Sequence, residues 1–404
     1  MQNHFLRRVR IKNYKSIAAC NVQLKEPLAI LVGPNGSGKS NFLDALRLIS
    51  DSLNTTLEQA LRDRGGVNEV RRRSGGHPTH FTVQLDFTLR SGLRGFFAFE
   101  IAAIRGGGFV VSQERCEVFK DWILEASYDV MSTRETPKTD LSVAMPPVLH
   151  DRLYLVNAGS IKPFDEVFDA LRSMGFYNLN PGVIREFQRP DPGTLLERDG
   201  RNLASVLARL HTHHPEIMET IKGYLAAVVP GVEGAERRIY GPRETVQFLQ
   251  RVPSQRHPWK FSAINMSDGT LRALGVIVAL LQTNSRTPSV VGIEEPETAL
   301  HPAASGILWD EIRAAAQETQ VLVTSHSADL LDRDDISLDF LLGVSSAENR
   351  TSIGPLNERA RNLLREKMCT PGELMWQRET DPDEESQRLA REPSNLSLFS
   401  PCPE

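Results

Sequence analysis

The chain of 404 residues contains little cysteine and no long apolar run. Its four cysteines are Cys20, Cys116, Cys369 and Cys402. They include no Cys-x-x-Cys pair, so the sequence predicts free thiols in a reducing cytoplasm. The longest apolar stretch, residues 274–281, is too short to span a bilayer, and the first residues lack a signal peptide's apolar core. The net charge of −4 excludes a wholly basic coat protein, so we expect a cytoplasmic protein without a membrane partner.

The segment from Gly33 to Ser40 has the pattern of a phosphate-binding loop, Gly-Pro-Asn-Gly-Ser-Gly-Lys-Ser. Apolar residues predict a buried strand at 28–32 before it and a helix at 41–49 after it. Glycines let backbone N–H groups surround a phosphate chain, and the helix N-terminus favours negative charge there. Lys39 would contact the β- and γ-phosphates, and the Ser40 hydroxyl would bind Mg²⁺. The residues expected to bind the nucleotide are Asn35, Gly36, Ser37, Gly38, Lys39, Ser40 and Asn41.

Two adjacent carboxylates, Glu294 and Glu295, follow a second buried-strand pattern at residues 288–293. Ligands of α/β sheets bind at the carboxyl ends of strands. Glu294 could therefore hold Mg²⁺, while Glu295 would orient and deprotonate the attacking water. A solvated acidic strand end is the alternative interpretation. Because the phosphate loop occurs in the same chain, we favour the catalytic one.

His326 follows a third strand pattern at residues 320–324. A lone histidine is usually a surface or core residue. Here the helix predicted at 303–317 is long enough to place the strands 288–293 and 320–324 side by side and parallel. We therefore expect His326 to contact the γ-phosphate as a catalytic residue. Earlier in the chain, Ser267 is a good N-cap for an apolar helix at 271–282, and Gly269 would let backbone amides approach a ligand.

The order of the predicted elements divides the chain into four parts. Residues 1–130 form a strand-rich lobe with the phosphate loop, and residues 131–257 a linker and helical insertion. Residues 258–345 form a second sheet-forming block, and residues 346–404 a late helix and an acidic tail that we expect to be disordered. The sequence thus predicts an α/β head with an antiparallel β lobe and an inserted helical arm.

Together the motifs resemble ABC-type ATPases, in the variant found in the RecF, SMC and OLD groups. Residues 267–270, Ser-Asp-Gly-Thr, resemble their signature motif, and residues 294–302 their fused Walker B and D-loop. Residues 324–327 resemble their His switch, and residues 11–17 the strand that opens their heads. Segments 176–181 and 198–203 resemble the middle region of bacterial predicted AAA-type ATPases. The resemblance spans residues 5–345 and implies a P-loop NTPase head without the TOPRIM nuclease domain of OLD relatives.

The resemblance implies an ATP-sandwich homodimer that uses ATP and Mg²⁺, with a higher oligomer left open. The signature of one copy would contact the nucleotide of the other through Ser267, Asp268 and Gly269. The D-loop along the dimer seam would include Ala299, Leu300 and His301. Lys15 would join the nucleotide-binding residues. Glu294 stands where many such heads have Asp, and Asp268 replaces a second Gly, so we expect slow or partner-dependent ATP hydrolysis.

Two interpretations of the function stay open. In the first, the ATPase switches a separately encoded nuclease or toxin effector in antiphage defence, since few residues follow His326. In the second, it is a RecF-like DNA-repair ATPase that acts on DNA directly. Basic clusters that could bind DNA lie at residues 7–12, 62–73 and 359–367, although no aromatic residues interleave with them. A transporter motor and a nucleotide-gated scaffold are weaker alternatives.

Overall fold

The computed structural model describes residues 4–74, 78–253, 255–282, 288–333 and 335–401. Cys402 lies outside these residues. The strands of the described residues are β1 (Leu6–Tyr14), β2 (Ile17–Gln23), β3 (Leu28–Val32), β4 (His80–Thr88), β5 (Arg94–Ala103), β6 (Phe109–Lys120), β7 (Ile123–Met131), β8 (Lys138–Thr139), β9 (Gly175–Tyr177), β10 (Val232–Tyr240), β11 (Arg243–Gln250), β12 (Trp259–Ser262), β13 (Val290–Glu294), β14 (Gln320–Ser325), β15 (Leu341–Ala347) and β16 (Arg350–Pro355).

The helices of the same residues are α1 (Lys39–Asn54), α2 (Leu57–Arg62), α3 (Val67–Val70), α4 (Leu155–Ala158), α5 (Phe164–Arg172), α6 (Pro181–Arg185), α7 (Leu203–His213), α8 (Pro215–Val228), α9 (Asp268–Leu281), α10 (Ser305–Glu318), α11 (Ala328–Leu331), α12 (Glu358–Arg365), α13 (Pro371–Trp376) and α14 (Glu384–Arg391). In the part of the chain that the structure describes, no helix is both long and apolar enough to cross a membrane.

A six-stranded sheet with the order β16-β15-β3-β14-β13-β9 carries the phosphate loop at its carboxyl edge. All of its neighbouring strands are parallel except β15 and β16, which pair antiparallel. Strands β3 and β14 are buried at every residue, as expected for apolar strands covered on both faces. The predicted parallel pairing is confirmed, since Val290 pairs with Gln320 and Glu294 with Thr324.

A seven-stranded antiparallel sheet with the order β2-β1-β4-β5-β6-β7-β8 forms the β lobe. Its inner face is aromatic, with Phe81 in edge contact with both Tyr14 and Phe99. The same core includes Phe42 and Leu46 of α1, so the phosphate-loop helix packs against this lobe. The sheet therefore fixes the direction of the helix whose N-terminus faces the loop.

A second core surrounds α9, which is buried at almost every residue, as its apolar sequence predicted. Helices α7 and α8 and the small sheet β10-β11-β12 contribute Leu207, Ile221 and Phe248 to it. Because Ser267 is the N-cap of α9 and the helix passes through this core, the signature segment rests on a rigid support.

Two predicted parts of the chain require correction. The insertion 131–257 is not only helical: β9 completes the parallel sheet beside β13, and β10 and β11 form a hairpin. Strand β9 has only three residues, too few to show a strand period in the sequence.

Residues 346–404 were predicted to hold a late helix followed by a disordered acidic tail. The late helix is α12, which β16 precedes, but the tail after it is also ordered and holds helices α13 and α14. Its last described segment lies on the outer face of the β lobe, where Arg10 donates to the carbonyls of Ser397 and Ser400. The Gln84 side chain accepts from the Phe399 N–H at 2.8 Å. The tail is held by hydrogen bonds to its backbone, which its polar composition does not reveal.

Candidate nucleotide-binding site

The phosphate loop is braced by residues distant in sequence. Gly38 has φ +108, and a Cβ at this position would lie 2.2 Å from the Thr351 Oγ1 in β16. That hydroxyl donates to the Ser37 carbonyl at 2.8 Å and lies 2.7 Å from the Ser16 Oγ. The Asn41 side chain donates to the same Ser16 hydroxyl. Only glycine fits at position 38, and Asn41 supports the loop from behind.

Lys39 lies inside the loop. Its ammonium donates to the carbonyls of Gly33 and Pro34 at 2.8 and 3.0 Å. Burial lowers the pKa of Lys39, while the nearby charges of Glu295 and Glu297 raise it. The loop residues Asn35, Gly36 and Ser40 are exposed, whereas Ser37 is buried. The predicted phosphate-binding residues thus surround one cation beside the acidic end of β13.

Glu294 and Glu295 leave the end of β13 with different partners. The Glu294 Oε1 accepts from the Arg198 Nη2 at 2.8 Å. Glu295 has φ +45, an uncommon conformation for a residue with a side chain, and its N–H donates to the Thr324 carbonyl at 2.9 Å. This turn places the Glu295 Oε1 3.0 Å from the His326 Nδ1. The structure therefore brings together the two residues predicted to be the base and the phosphate sensor.

A third carboxylate, Glu297, belongs to the same site and was not predicted. One of its oxygens accepts from the Ser325 Oγ at 2.6 Å, and the other is buried without a hydrogen-bond partner. Burial raises the pKa of Glu297, while the Ser325 hydrogen bond and the His326 charge lower it. Its place in the run Glu-Glu-Pro-Glu was the available sequence signal.

Arg272 of α9 connects the signature helix to the acidic strand end, and sequence reasoning missed it as well. Its guanidinium donates to the carbonyls of Glu294 and Glu295 at 3.0 and 2.9 Å. It also donates to the Leu179 carbonyl after β9. Burial lowers the pKa of Arg272, and the three glutamates of the site raise it. A movement of α9 would therefore act on the backbone that carries both carboxylates.

The signature and D-loop segments contact each other within one chain. The Ser267 Oγ caps α9 by accepting from the Thr270 N–H, and Asp268 pairs with Arg185 at 2.5 Å. A Cβ on Gly269 would lie 2.3 Å from the Ala299 carbonyl, and Ala299 itself has φ +66. The two segments form one surface, on which the exposed residues are Ser267, Asp268, Ala299 and His301, with Leu300 half-buried.

Lys15 is held by α1. Its ammonium lies 2.5 Å from the Asp44 Oδ2, which also accepts from the Tyr14 hydroxyl. Burial alone would raise the pKa of Asp44, but Arg64, Arg47 and Lys15 outweigh it and hold this pKa at about 2. The structure thus gives Lys15 a partner in the phosphate-loop helix, and its contact with nucleotide stays a prediction.

The basic cluster at residues 62–73 is used within the protein. Arg64 pairs with Asp44 and Asp51, and Arg72 donates to the carbonyls of Ser16 and Asn349. The remaining arginines of this cluster also have protein partners, Arg62 with Glu58, Arg71 with Asn68 and Arg73 with Glu69. This cluster is therefore a weak candidate for DNA binding.

The donor set of the site suits Mg²⁺, which prefers hard oxygen ligands. Ser40 offers a hydroxyl at the start of α1, and Glu294 offers a carboxylate at the end of β13. Within the described ranges, no group of three or more His, Cys, Asp or Glu side chains could hold a metal ion. Phosphate oxygens and water would therefore have to complete the coordination.

Two family models match parts of the chain. One, described as "AAA domain, putative AbiEii toxin, Type IV TA system", matches residues 152–332, and an AAA ATPase domain model matches residues 5–89. Both include motifs of the site.

Curated relatives match over short segments. The DNA replication and repair protein RecF of Gloeobacter violaceus is 36% identical over 94 residues, which cover 22% of this chain and 24% of that protein. The chromosome partition protein Smc of Halothermothrix orenii is 44% identical over 46 residues, 11% of this chain and 4% of that protein. ABC transporter A family member 7 of Arabidopsis thaliana is 27% identical over 198 residues, 44% of this chain and 20% of that protein. The chain thus spans a quarter or less of each of these relatives.

Solved structures show the same fold. An Smc head bound to the C-winged helix domain of ScpA aligns with a TM-score of 0.51 and 13% identity, covering 89% of this chain and 99% of that one. The Smc head of Pyrococcus furiosus, bound to the C-terminal domain of ScpA, aligns with a TM-score of 0.51 and 11% identity. The alignment covers 90% of this chain and 99% of that one.

Proposed function

Since the chain is an ATPase of the RecF- and SMC-like ABC class, we propose that it binds ATP with Mg²⁺ at residues 33–40 and closes head to head with a second copy. Ser40 and Glu294 would hold the metal, which neutralises phosphate charge when bound. Glu295 would accept the proton of the attacking water, and His326 would hold that carboxylate in position. Lys39 would neutralise phosphate oxygens.

The observation that carries this proposal is the contact between Glu295 and His326 beside Lys39. Carboxylate, imidazole and ammonium groups meet at the carboxyl edge of a parallel sheet, where a nucleotide fits the fold. The exposed surface formed by Ser267 and Ala299 supports closure with a second copy, because a partner head could contact both segments together.

The oligomeric state in the presence of nucleotide tests head closure. We expect the Glu295→Gln protein to be a dimer with ATP and Mg²⁺ and a monomer with ADP, measured by light scattering after size exclusion. The control, Glu318→Gln, changes an exposed glutamate of α10 and should hydrolyse ATP like the unsubstituted protein. A monomer under every nucleotide condition would overturn the proposed closure.

We propose that the ATP-dependent closure of the heads acts on DNA. A surface cleft of about 850 Å³ on the β lobe gathers the cations Arg7, Arg8, Lys25 and Arg94. The Arg94 guanidinium lies 4.7 Å from the centre of the Trp122 ring, and Trp122 is 64% exposed. Cations beside an exposed aromatic ring suit phosphates and bases. The RecF relative is a DNA replication and repair protein and the Smc relative a chromosome partition protein, and both support the same target.

Salt-dependent binding to a short DNA tests this target. Arg94→Glu should weaken binding. The slope of the logarithm of the binding constant against the logarithm of the salt concentration should become shallower by about 1, as for the loss of one phosphate contact. Arg313→Glu is the control, because Arg313 lies on α10, pairs with Asp335 and does not line the cleft. Equal binding by both variants would contradict the assignment of this cleft.

A separately encoded nuclease or toxin effector is the second candidate target. The family model that matches residues 152–332 carries the words "putative AbiEii toxin, Type IV TA system", which associate this kind of domain with toxin systems and support the candidate to that extent. Purification from the native host tests it: a nuclease or toxin that co-purifies with the unsubstituted chain and is lost with Gly269→Ala would favour the effector over DNA.

A further inference from the structure

A turn at residues 197–200, between α6 and α7, brings Arg198 to the acidic strand end. The Asn178 N–H donates to the Arg198 carbonyl at 2.9 Å, and the Asn180 N–H donates to the Asp199 carbonyl at 3.1 Å. Gly200 completes the turn with φ +83. Since β9 neighbours β13 in the parallel sheet, these backbone bonds fix Arg198 beside the end of β13.

The side chain of Arg198 is not needed to hold this turn. Asn202 accepts from the Glu197 N–H at 2.8 Å, and Asp199 accepts from the Arg201 N–H at 3.2 Å. The Arg201 guanidinium pairs with Asp199 and Glu197 inside the turn. The two arginines thus differ, because Arg201 contacts its own segment whereas Arg198 reaches out to Glu294.

Arg198 is a second cation at the nucleotide edge of the sheet. Its side chain is 45% exposed, and the Glu294 carboxylate that it contacts is 16% exposed. The charge of Arg198 also acts on Arg47 of α1. Burial and the charges of Arg64 and Arg198 lower the pKa of Arg47. When Glu294 binds Mg²⁺, its charge is shared with the metal, and the guanidinium can then contact another anion nearby.

We propose that Arg198 contacts the terminal phosphate of ATP bound in the same head, with Glu294 as its partner before nucleotide binds. Arginine suits this role because its planar guanidinium binds two phosphate oxygens at once. Arg198 then distinguishes ATP from ADP and ties nucleotide state to the inserted segment that carries it. The inference rests on the proposed ATP site and names a further residue for it.

Equilibrium binding of a non-hydrolysable ATP analogue and of ADP, each with Mg²⁺, tests the inference without measuring turnover. Arg198→Ala should weaken binding of the ATP analogue about tenfold and leave ADP binding almost unchanged. Arg198→Gln, which keeps the length and polarity of the side chain, should show the same selective loss. Arg189→Ala, which changes an exposed arginine of the same inserted segment outside this turn, is the matched control and should bind both nucleotides normally.

The outcomes separate this inference from the function on which it rests. If both Arg198 variants fold, as shown by unchanged thermal unfolding, and bind the ATP analogue as Arg189→Ala does, the assignment of Arg198 is wrong. Equal loss of ATP analogue and ADP would also overturn it, because the contact would not be with the terminal phosphate. If the unsubstituted protein binds neither nucleotide, the proposed function fails and the inference with it.

Discussion

The Nδ1 atom of His326 lies 3.0 Å from the Oε1 atom of Glu295, so the two residues share one contact across neighbouring strands. Strands β13 and β14 place them there because Glu294 and Thr324 are in register and each residue follows its strand end. The positive φ of Glu295 turns its side chain towards the histidine. A conformation that is strained for glutamate is therefore kept where the chemistry needs it.

Glu295 and His326 should behave as one unit in catalysis. Glu295→Gln is expected to lower ATP turnover about a hundredfold or more, and His326→Ala by a smaller factor. Because the histidine acts through the carboxylate, the double variant should be no slower than Glu295→Gln alone. Steady-state phosphate release by the three variants measures this. Losses that multiply in the double variant would show that the residues act independently.

Gly269→Ala should uncouple nucleotide binding from head closure. The new Cβ would lie 2.3 Å from the Ala299 carbonyl, so the D-loop or the start of α9 must move. We expect ATP binding by the monomer to persist while the ATP-dependent dimer is lost. Gly223→Ala in α8 is the matched control, since a Cβ there meets no atom within 4 Å. Normal dimerisation of Gly269→Ala would contradict the role of this contact.

Thr351→Val should weaken ATP binding although the residue lies far from the loop in sequence. The substitution keeps the side-chain shape but removes the hydroxyl that contacts the Ser37 carbonyl and Ser16. A lost buried hydrogen bond is worth about 1–3 kcal/mol, and we expect ATP affinity to fall about tenfold. Titration with ATP measures it. Thr351→Ser retains the hydroxyl and should bind ATP normally; if it binds as weakly as Thr351→Val, the hydrogen bond is not the cause.

The parts of the fold that were predicted correctly are those with strong local patterns. The apolar runs of β3, β13 and β14 and the helix between the last two gave the parallel sheet and the edge where the motifs meet. The predicted antiparallel β lobe is the sheet in which β4 pairs with β5. In these segments the local sequence and the global fold agree, so the hydrophobic pattern alone is sufficient to predict the elements.

The parts that were not predicted depend on long-range contacts. The contacts of Thr351, Arg198 and Glu297 are with partners on other elements, which the local sequence does not show. The tail is ordered because its carbonyls accept from Arg10 and Arg115, which composition cannot show. A polar segment was therefore judged disordered although the β lobe supplies its hydrogen bonds.

Glu114 should make the β lobe less stable as the pH rises. Burial raises the pKa of Glu114 to about 7, although hydrogen bonds from Tyr128 and from the N–H groups of Tyr154 and Leu155 lower it. The unfolded chain has the ordinary value of 4.5. The folded state therefore binds the proton more tightly, and its contribution, fully present below about pH 4.5, is lost as the pH rises through about 7. The difference amounts to at most about 3 kcal/mol.

Glu114→Gln isolates this effect, because other titrating groups are the same in both proteins. The amide changes the hydrogen bonds of Tyr128, Tyr154 and Leu155 by an amount that does not depend on pH. Urea unfolding gives the free energy of unfolding of both proteins at pH 5.5 and pH 8. Relative to Glu114→Gln, the unsubstituted protein should be less stable at pH 8 than at pH 5.5. If the difference in unfolding free energy between the two proteins is the same at both pH values, Glu114 does not hold a proton in the folded state. Its three donors would then stabilise the carboxylate more than burial destabilises it.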